Sequence, residues 1–180
     1  MDLYAIEDEK ARAKMQQDVA DFIRLRLKNV LESIRYDVVD AVLADVDDIY
    51  AVSLRAKAVA DYVASADAAA GIQAFVRVAN LAKKAESAEV SAELFQTDAE
   101  RTLFAAYEKA AAAVEADIAS EAYAEAIRAL AALAAPIDAF FADVMVMDKD
   151  EAIKNNRLGL LKSIDAIVGR VADFTKIVLA

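Results

Sequence analysis

The scarcity of chain-breaking residues constrains this fold more than any other feature. The 180 residues include three glycines and one proline, so few positions favour a turn or forbid a helix. Alanine, which has the highest intrinsic helix propensity, is frequent throughout the chain. The length suits a single domain with one core. We therefore predict an all-α protein, a compact bundle of about seven helices with short connections.

Apolar spacing and capping residues predict where the helices begin and end. The first helix is predicted over residues 3–34, with a buried stripe formed by Val19, Ile23, Leu27, Val30, Leu31 and Ile34. The later helices are predicted to begin at Asp37, at Asp47 or Asp48, at Asp67, at Thr97 with Glu100 as a capping box, at Ser120, at Pro136 and at Asp148. No repeat or linker interrupts this pattern, so one domain over residues 1–180 is expected.

The absence of histidine and cysteine excludes most catalytic sites. Zinc centres, thiol nucleophiles and Ser-His-Asp triads all require one or both of these residues. Acidic pairs at helical spacing, Asp37 with Asp40 and Glu121 with Glu125, could hold Mg²⁺, but surface helices routinely carry such pairs. We therefore predict no catalytic, cofactor-binding or metal-binding residue.

The sequence also favours a cytoplasmic protein with no membrane partner. No run reaches the roughly 18 to 20 uninterrupted apolar residues that cross a bilayer. Acidic residues near the first residue stand where a secretory signal needs a basic and then an apolar region. The lack of cysteine is consistent with a reducing compartment.

Charge is distributed unevenly along the chain. The formal net charge is −10, and residues 85–125 carry ten acidic against two basic residues. Residues 71–84 carry Arg77, Lys83 and Lys84 and no acid. The mean charge therefore conceals a local basic segment that could bind an anion.

Several blocks occur together in an order that helical patterning does not explain. They are DFIRLRLKNVLESIRYDVVDAVLA, AFVRVANLAKKA, LFQTDAERTLFAAY, PIDAFFADVMVMDKDEAIKNNRLGLL and VADFTKI. Over residues 18–177 these blocks resemble the C-terminal region of the bacterial glycyl-tRNA synthetase β subunit. RYDVVDAV and FFADVMVMDKDEAIKNNRLGLL are the most specific pieces, since amphipathic helices alone would not produce them.

The resemblance implies a helical anticodon-binding domain of the DALR type, which also occurs at the C terminus of arginyl-tRNA synthetases. It implies that the chain is a C-terminal fragment of a longer chain and binds glycine tRNA. The rest of the β subunit and a separate α subunit would be its partners. The class II aminoacylation site, with its ATP and Mg²⁺, would lie elsewhere in that enzyme, so this domain would catalyse nothing alone and need no cofactor.

The helix predicted from Asp67 carries a stripe suited to RNA. At 100° per residue its apolar residues share one side and its polar residues another. Arginine and lysine contact phosphates, and amide or guanidinium groups can read exposed base edges. The predicted RNA-binding residues on and after this helix are Gln73, Arg77, Asn80, Lys83 and Lys84. The alternative is a solvated helix face without a ligand.

Two further arginines are candidates for RNA contact. Arg26 lies four residues after Phe22, and Arg35 precedes Tyr36 in the connection RYD. A cation beside an exposed aromatic ring could contact a phosphate and a base. The alternative is that neither arginine contacts RNA.

Arg157 and the segment before it are predicted to be structural. Arg157 projects into the apolar face of the last helix, and a buried guanidinium requires carboxylate or carbonyl partners. The candidate carboxylates are Asp37, Asp40, Asp138 and Asp143, which the sequence does not rank. The apolar residues expected to pack in the core or at a helix junction are Phe140, Phe141, Val144, Met145 and Met147.

A competing hypothesis is a helical protein-interaction module with no nucleic-acid role. The acidic isoelectric point, about 4.5, and the lack of a long Lys/Arg-rich tract favour it. Its interface would be formed by apolar residues on the alanine-rich helices.

Overall fold

The computed structural model describes residues 9–43 and 48–179, which form eight α-helices and two short 3-10 turns. The helices are α1 (Glu9–Val30), α2 (Tyr36–Val42), α3 (Ile49–Val63), α4 (Ala68–Ala82), α5 (Asp98–Ala119), α6 (Tyr123–Ala131), α7 (Ala134–Asp143) and α8 (Glu151–Gly169). The 3-10 turns are Ala92–Leu94 and Phe174–Lys176. The predicted all-α architecture is confirmed.

α4 and α8 form the centre of the bundle. α4 packs against α8, α7 and the turn Phe174–Lys176, while α5 packs against α6, α7 and α8. The predicted apolar face of α8 is buried, including Leu160, Leu161 and Ile164 at 0% exposure. Every helix has one side that the others cover over at least part of its length. Among the described residues, none of these helices has the length and apolar character that crossing a bilayer demands.

The predicted buried stripe of α1 is only partly correct. Leu27 and Leu31 are buried, but Val19 is 52% exposed and Val30 is 71% exposed. The side chain of Ile23 and residues 1–8 lie outside the described residues. Apolar spacing shows which residues share a helical side, but it does not show whether another element covers that side.

Two of the predicted helix caps are confirmed. The Asp48 carboxylate accepts hydrogen bonds from the backbone N–H groups of Tyr50 and Ala51 at 2.7 and 3.3 Å. Thr97 and Glu100 form the reciprocal capping box, since each side chain accepts from the other's backbone N–H at 3.2 and 2.8 Å. The alternative cap Asp47 lies outside the described residues.

Four other predicted helix starts are corrected. Asp37 is the second residue of α2, and Asp150 rather than Asp148 caps α8. Ser120 ends α5, where its hydroxyl donates back to carbonyl oxygens of the last turn. Pro136 is the third residue of α7, still within the first turn, where backbone N–H groups have no acceptor inside the helix.

The segment after α7 alternates between buried and exposed residues. Val144 and Val146 are buried, whereas Met145 is 77% and Met147 is 47% exposed. The expectation that both methionines pack inside is wrong, because the helix ends at Asp143 and the backbone is extended at Val144. Extended backbone turns successive side chains to opposite sides, so a helical spacing no longer applies.

Candidate nucleic-acid interface

The polar side of α4 faces solvent. Its members, all exposed, are Gln73, Arg77 and Asn80 on the helix and Lys83 and Lys84 just after it. The opposite side is buried and includes Phe75 and Val78. The two lysines lie at the negative end of the α4 dipole, which favours cations. The predicted stripe is therefore on the surface, and its contact with RNA remains a prediction.

A groove of about 440 Å³ runs along this side of α4. Ile72 and Val76 contribute apolar surface to it, and Gln73, Arg77 and Asn80 contribute polar groups. A site of this volume, with apolar surface and a few polar groups, is in the usual range for small-ligand recognition. It could receive an unstacked base beside its phosphate.

The second wall of the groove is the C-terminal segment, residues 175–179, which contributes Thr175, Ile177 and Leu179. Sequence reasoning missed this wall. The only signal was the block VADFTKI, which helical spacing does not connect to α4. The groove therefore depends on how this segment is held.

Arg35 and Asp37 hold the C-terminal segment through its backbone. The buried Asp37 carboxylate accepts from the Val178 N–H at 2.8 Å, and Arg35 Nη2 donates to the Val178 carbonyl at 2.7 Å. Arg35 also binds both carboxylate oxygens of Asp37, at 3.1 and 2.6 Å. Lys176 Nζ donates to the Asp40 carbonyl at 3.1 Å. Asp37 is thus buried and paired with Arg35, not with Arg157.

Arg77 is held by an aromatic ring. Its guanidinium carbon lies 4.1 Å from the centroid of the half-buried Phe141 ring. This contact is a cation–π interaction, which orients the guanidinium without neutralising it. Arg77 makes no ion pair with any other described residue, so its charge is available to a phosphate.

Arg26 is not part of this site as the structure describes it. Its guanidinium carbon lies 5.6 Å from the Phe22 ring centroid on the exposed side of α1. Neither residue lines the groove beside α4.

Arg157 is interior, as predicted, with 4% of its surface exposed. Its Nε donates to Glu100 at 2.8 Å and its Nη1 to Asp148 at 2.7 Å. Its remaining acceptors are the Met145 carbonyl at 3.1 Å and the Gln96 side chain at 3.2 Å. The candidate partners Asp37, Asp40, Asp138 and Asp143 are wrong.

The sequence did not reveal Glu100 as the partner of Arg157, because Glu100 also has a local role as a capping residue. One carboxylate oxygen completes the local capping box, and the other reaches an arginine 57 residues away. Burial alone would raise the pKa of Glu100. The hydrogen bonds from Arg157 and from the backbone of Thr97 and Gln96 hold that pKa below its ordinary value of 4.5. The carboxylate therefore stays charged in the core.

We expect the folded state to lose stability in acid. Burial would raise the pKa of Asp37, but Arg35 and the backbone N–H groups of Val178 and Val38 hold it below its ordinary value of 3.8. Below about pH 4.5 the unfolded chain therefore binds more protons than the folded one, so the free energy of unfolding falls as pH falls. Urea unfolding between about pH 7 and pH 3 measures this, with Asp37→Asn showing a shallower decline. A flat profile would contradict it.

Residues 72–177 match the sequence model of the DALR anticodon binding domain. The matched region contains most of α4, its exposed stripe, Arg157 with its partners, and most of the groove's second wall. The chain belongs to the DALR anticodon-binding domain family. Arg26, Arg35 and Asp37 precede the matched residues, so the family match does not bear on them.

Full-length relatives of this DALR domain are named glycine--tRNA ligase beta subunit. The protein of Syntrophotalea carbinolica is 39% identical over 163 residues, covering 89% of this chain and 24% of the relative. That of Clostridioides difficile is 36% identical over 170 residues, covering 93% and 25%, and that of Geobacter metallireducens is 37% identical over 177 residues, covering 97% and 26%. The chain thus spans about a quarter of the length of the curated relatives it matches.

Proposed function

We propose that this DALR domain belongs to the β subunit of a cytoplasmic glycine–tRNA ligase and binds the anticodon region of glycine tRNA. In this proposal the chain is a single domain of a longer protein, and its partners are the rest of that subunit and the α subunit. ATP, Mg²⁺ and the aminoacylation step belong to other parts of the enzyme. The family match and the names of the relatives support this assignment.

The groove beside α4 is the observation that carries the proposal. Arg77, which lines this groove, and Lys84, just beyond the end of α4, make no ion pair with any other described residue, and both side chains are exposed, as is that of Asn80. Uncompensated cations bind phosphates, while an adjacent apolar groove receives unstacked bases. The combination suits a single-stranded loop, because a duplex keeps its bases stacked inside.

The acidic residues 85–125 favour an RNA contact that is confined to the basic stripe of α4. Residues 85–125 carry a net charge of −8, from ten acidic and two basic side chains. A polyanion is repelled by such a surface and attracted to the basic stripe, so both charges orient the RNA. We expect moderate affinity from the isolated domain for the same reason.

One observation favours the alternative of a protein-interaction module. α1 exposes Met15, Val19, Phe22, Leu25 and Val30, each by about half or more of its surface. Exposed apolar side chains on one element are typical of a protein contact. α1 precedes the residues that match the DALR domain. A contact there is therefore compatible with RNA binding at α4.

Removing charge from the stripe tests the proposal. We expect Arg77→Gln/Lys84→Gln to weaken binding of glycine tRNA and to lower the slope of log K against log salt by roughly 0.7 for each lost phosphate contact. Glutamine keeps the helix propensity, so the fold should persist. Filter binding at several salt concentrations measures both quantities.

The matched control is Lys57→Gln/Lys109→Gln, which removes two exposed charges from α3 and α5. It should leave the salt slope unchanged. Equal slopes for the wild type and the Arg77→Gln/Lys84→Gln variant would contradict the proposal. Salt-insensitive retention together with concentration-dependent oligomerisation would instead support the interaction module.

A further inference from the structure

A second cavity, of about 290 Å³, adjoins the groove beside α4. Thr175 lines both spaces. The cavity lies between the end of α4, the end of α8 and the turn Phe174–Lys176, and it is lined by apolar residues together with Lys83, Asp165 and Asp173. Its volume is near the lower limit of ligand sites, roughly 300 Å³, and suits one nucleobase.

Two of the polar residues that line this cavity, Asp173 and Thr175, already bond to each other. Asp173 accepts hydrogen bonds from the Thr175 N–H at 3.1 Å and from the Thr175 hydroxyl at 2.5 Å. Asp173 also pairs with Lys176 at 3.7 Å. Lys83 and Asp165 are therefore the two groups that could bind a ligand.

Asp165 has no hydrogen bond or ion pair with any described residue. It is half-buried on α8. Burial raises the pKa of its carboxyl, and Asp173 raises it further, while Lys83 acts in the opposite direction. Glu100 and Asp37, by contrast, each accept several hydrogen bonds. A desolvated carboxylate without a donor costs stability, which a ligand carrying N–H groups would offset.

The position of Lys83 connects the cavity to the groove. Lys83 follows Asn80 by three residues, so the two lie about one turn apart at the end of α4. From Gln73 to Lys83 the helix rises by about 15 Å at ~1.5 Å per residue. One strand could therefore pass along α4 with successive bases in the two spaces.

Building on the proposed function, we propose that this cavity holds one unpaired base of the anticodon loop, and that Asp165 and Lys83 select cytosine or guanine. The Asp165 carboxylate accepts from an exocyclic amino group, as carboxylates do with cytosine N4. The Lys83 ammonium donates to a carbonyl oxygen. Cytosine and guanine carry both groups, whereas adenine has no carbonyl and uracil has no amino group.

Base substitution in an RNA hairpin tests this selection. The probe is the anticodon stem-loop of glycine tRNA, with each loop base replaced in turn by the other three. With the full 180-residue chain, we expect one loop position at which adenine or uracil weakens binding roughly tenfold or more relative to cytosine or guanine. Asp165→Asn should weaken that preference, because the neutral amide accepts less strongly and can present an N–H donor instead, and it should keep the salt slope, because the phosphate contacts remain.

The outcomes separate this inference from the proposed function. Asp117→Asn, a half-buried acid on α5, is the control and should keep the preference of the wild type. An Asp165→Asn profile identical to that of the wild type overturns the base selection but leaves anticodon binding intact. A wild-type chain that does not bind the hairpin in a salt-dependent manner overturns both.

A stability measurement checks that Asp165 has a binding role. Because its carboxylate lacks a donor, Asp165→Asn should keep or raise the melting temperature at neutral pH. A structural carboxylate would give the opposite result. A clear fall in melting temperature would therefore contradict the role assigned to Asp165.

Discussion

Replacing Glu100 by glutamine is expected to lower the free energy of unfolding by about 3–5 kcal/mol. Glu100 is 0% and Arg157 is 4% exposed, so the substitution leaves a guanidinium buried with less compensating charge. Asp148 cannot fully replace Glu100, because it is partly exposed and already binds a different nitrogen of the guanidinium. Urea denaturation at neutral pH measures the loss.

A surface pair provides the control for this substitution. Glu125 pairs with Arg128 at i,i+3 on α6, where both side chains are largely exposed. Glu125→Gln should change the free energy of unfolding by roughly 1 kcal/mol or less. Equal losses for Glu100→Gln and Glu125→Gln would show that the buried pair contributes no more than a solvated one.

A double substitution separates burial of charge from loss of packing. Arg157→Met removes the guanidinium and keeps an unbranched apolar side chain at its position. Because a buried ion pair can often be replaced by apolar groups at little cost, Glu100→Gln/Arg157→Met should be more stable than Glu100→Gln alone. If the double variant is less stable than Glu100→Gln, the hydrogen bonds of Glu100 and Arg157 stabilise the fold mainly by orienting the loop at Gln96 and Thr97.

Replacing Gly159 by alanine is expected to lower the free energy of unfolding by about 1–3 kcal/mol. A methyl group at this position in α8 would overlap the carbonyl oxygen of Glu89. That backbone cannot move freely, since Asn156 binds both the N–H and the carbonyl of Ser91, at 2.6 and 3.0 Å. The Ser163 hydroxyl also donates to the Ala88 carbonyl at 3.0 Å.

Gly169 is the matched control for Gly159. It lies in the same helix, and an added methyl group there would have no neighbour within 4 Å. Alanine has a helix propensity up to about 1 kcal/mol better than glycine, so Gly169→Ala should be neutral or stabilising. Melting curves of the two variants measure the difference, and equal stabilities would contradict the close packing of residues 87–89 on α8.

The sequence predicted the wall of the groove that α4 forms, but not the opposite wall. The exposed face of α4 followed from its 3.6-residue spacing, and the structure confirms it for Gln73, Arg77 and Asn80. The opposite wall comes from Thr175, Ile177 and Leu179, about one hundred residues later in the chain. Arg35 looked like a possible RNA contact, yet it holds that wall through Val178. No local pattern contains such a pairing.

By itself the sequence determined the all-helical class and the approximate places of the helices, the reciprocal cap of Thr97 and Glu100, the solvent side of α4 and the interior position of Arg157. These features depend on residues within about four positions, where helical periodicity and capping act. The tertiary structure alone decided that Arg157 pairs with Glu100 across 57 residues, that Met145 faces solvent, and that Asp165 lines a cavity. Those outcomes depend on which surfaces meet when the helices pack, and many side chains of suitable chemistry compete for each contact.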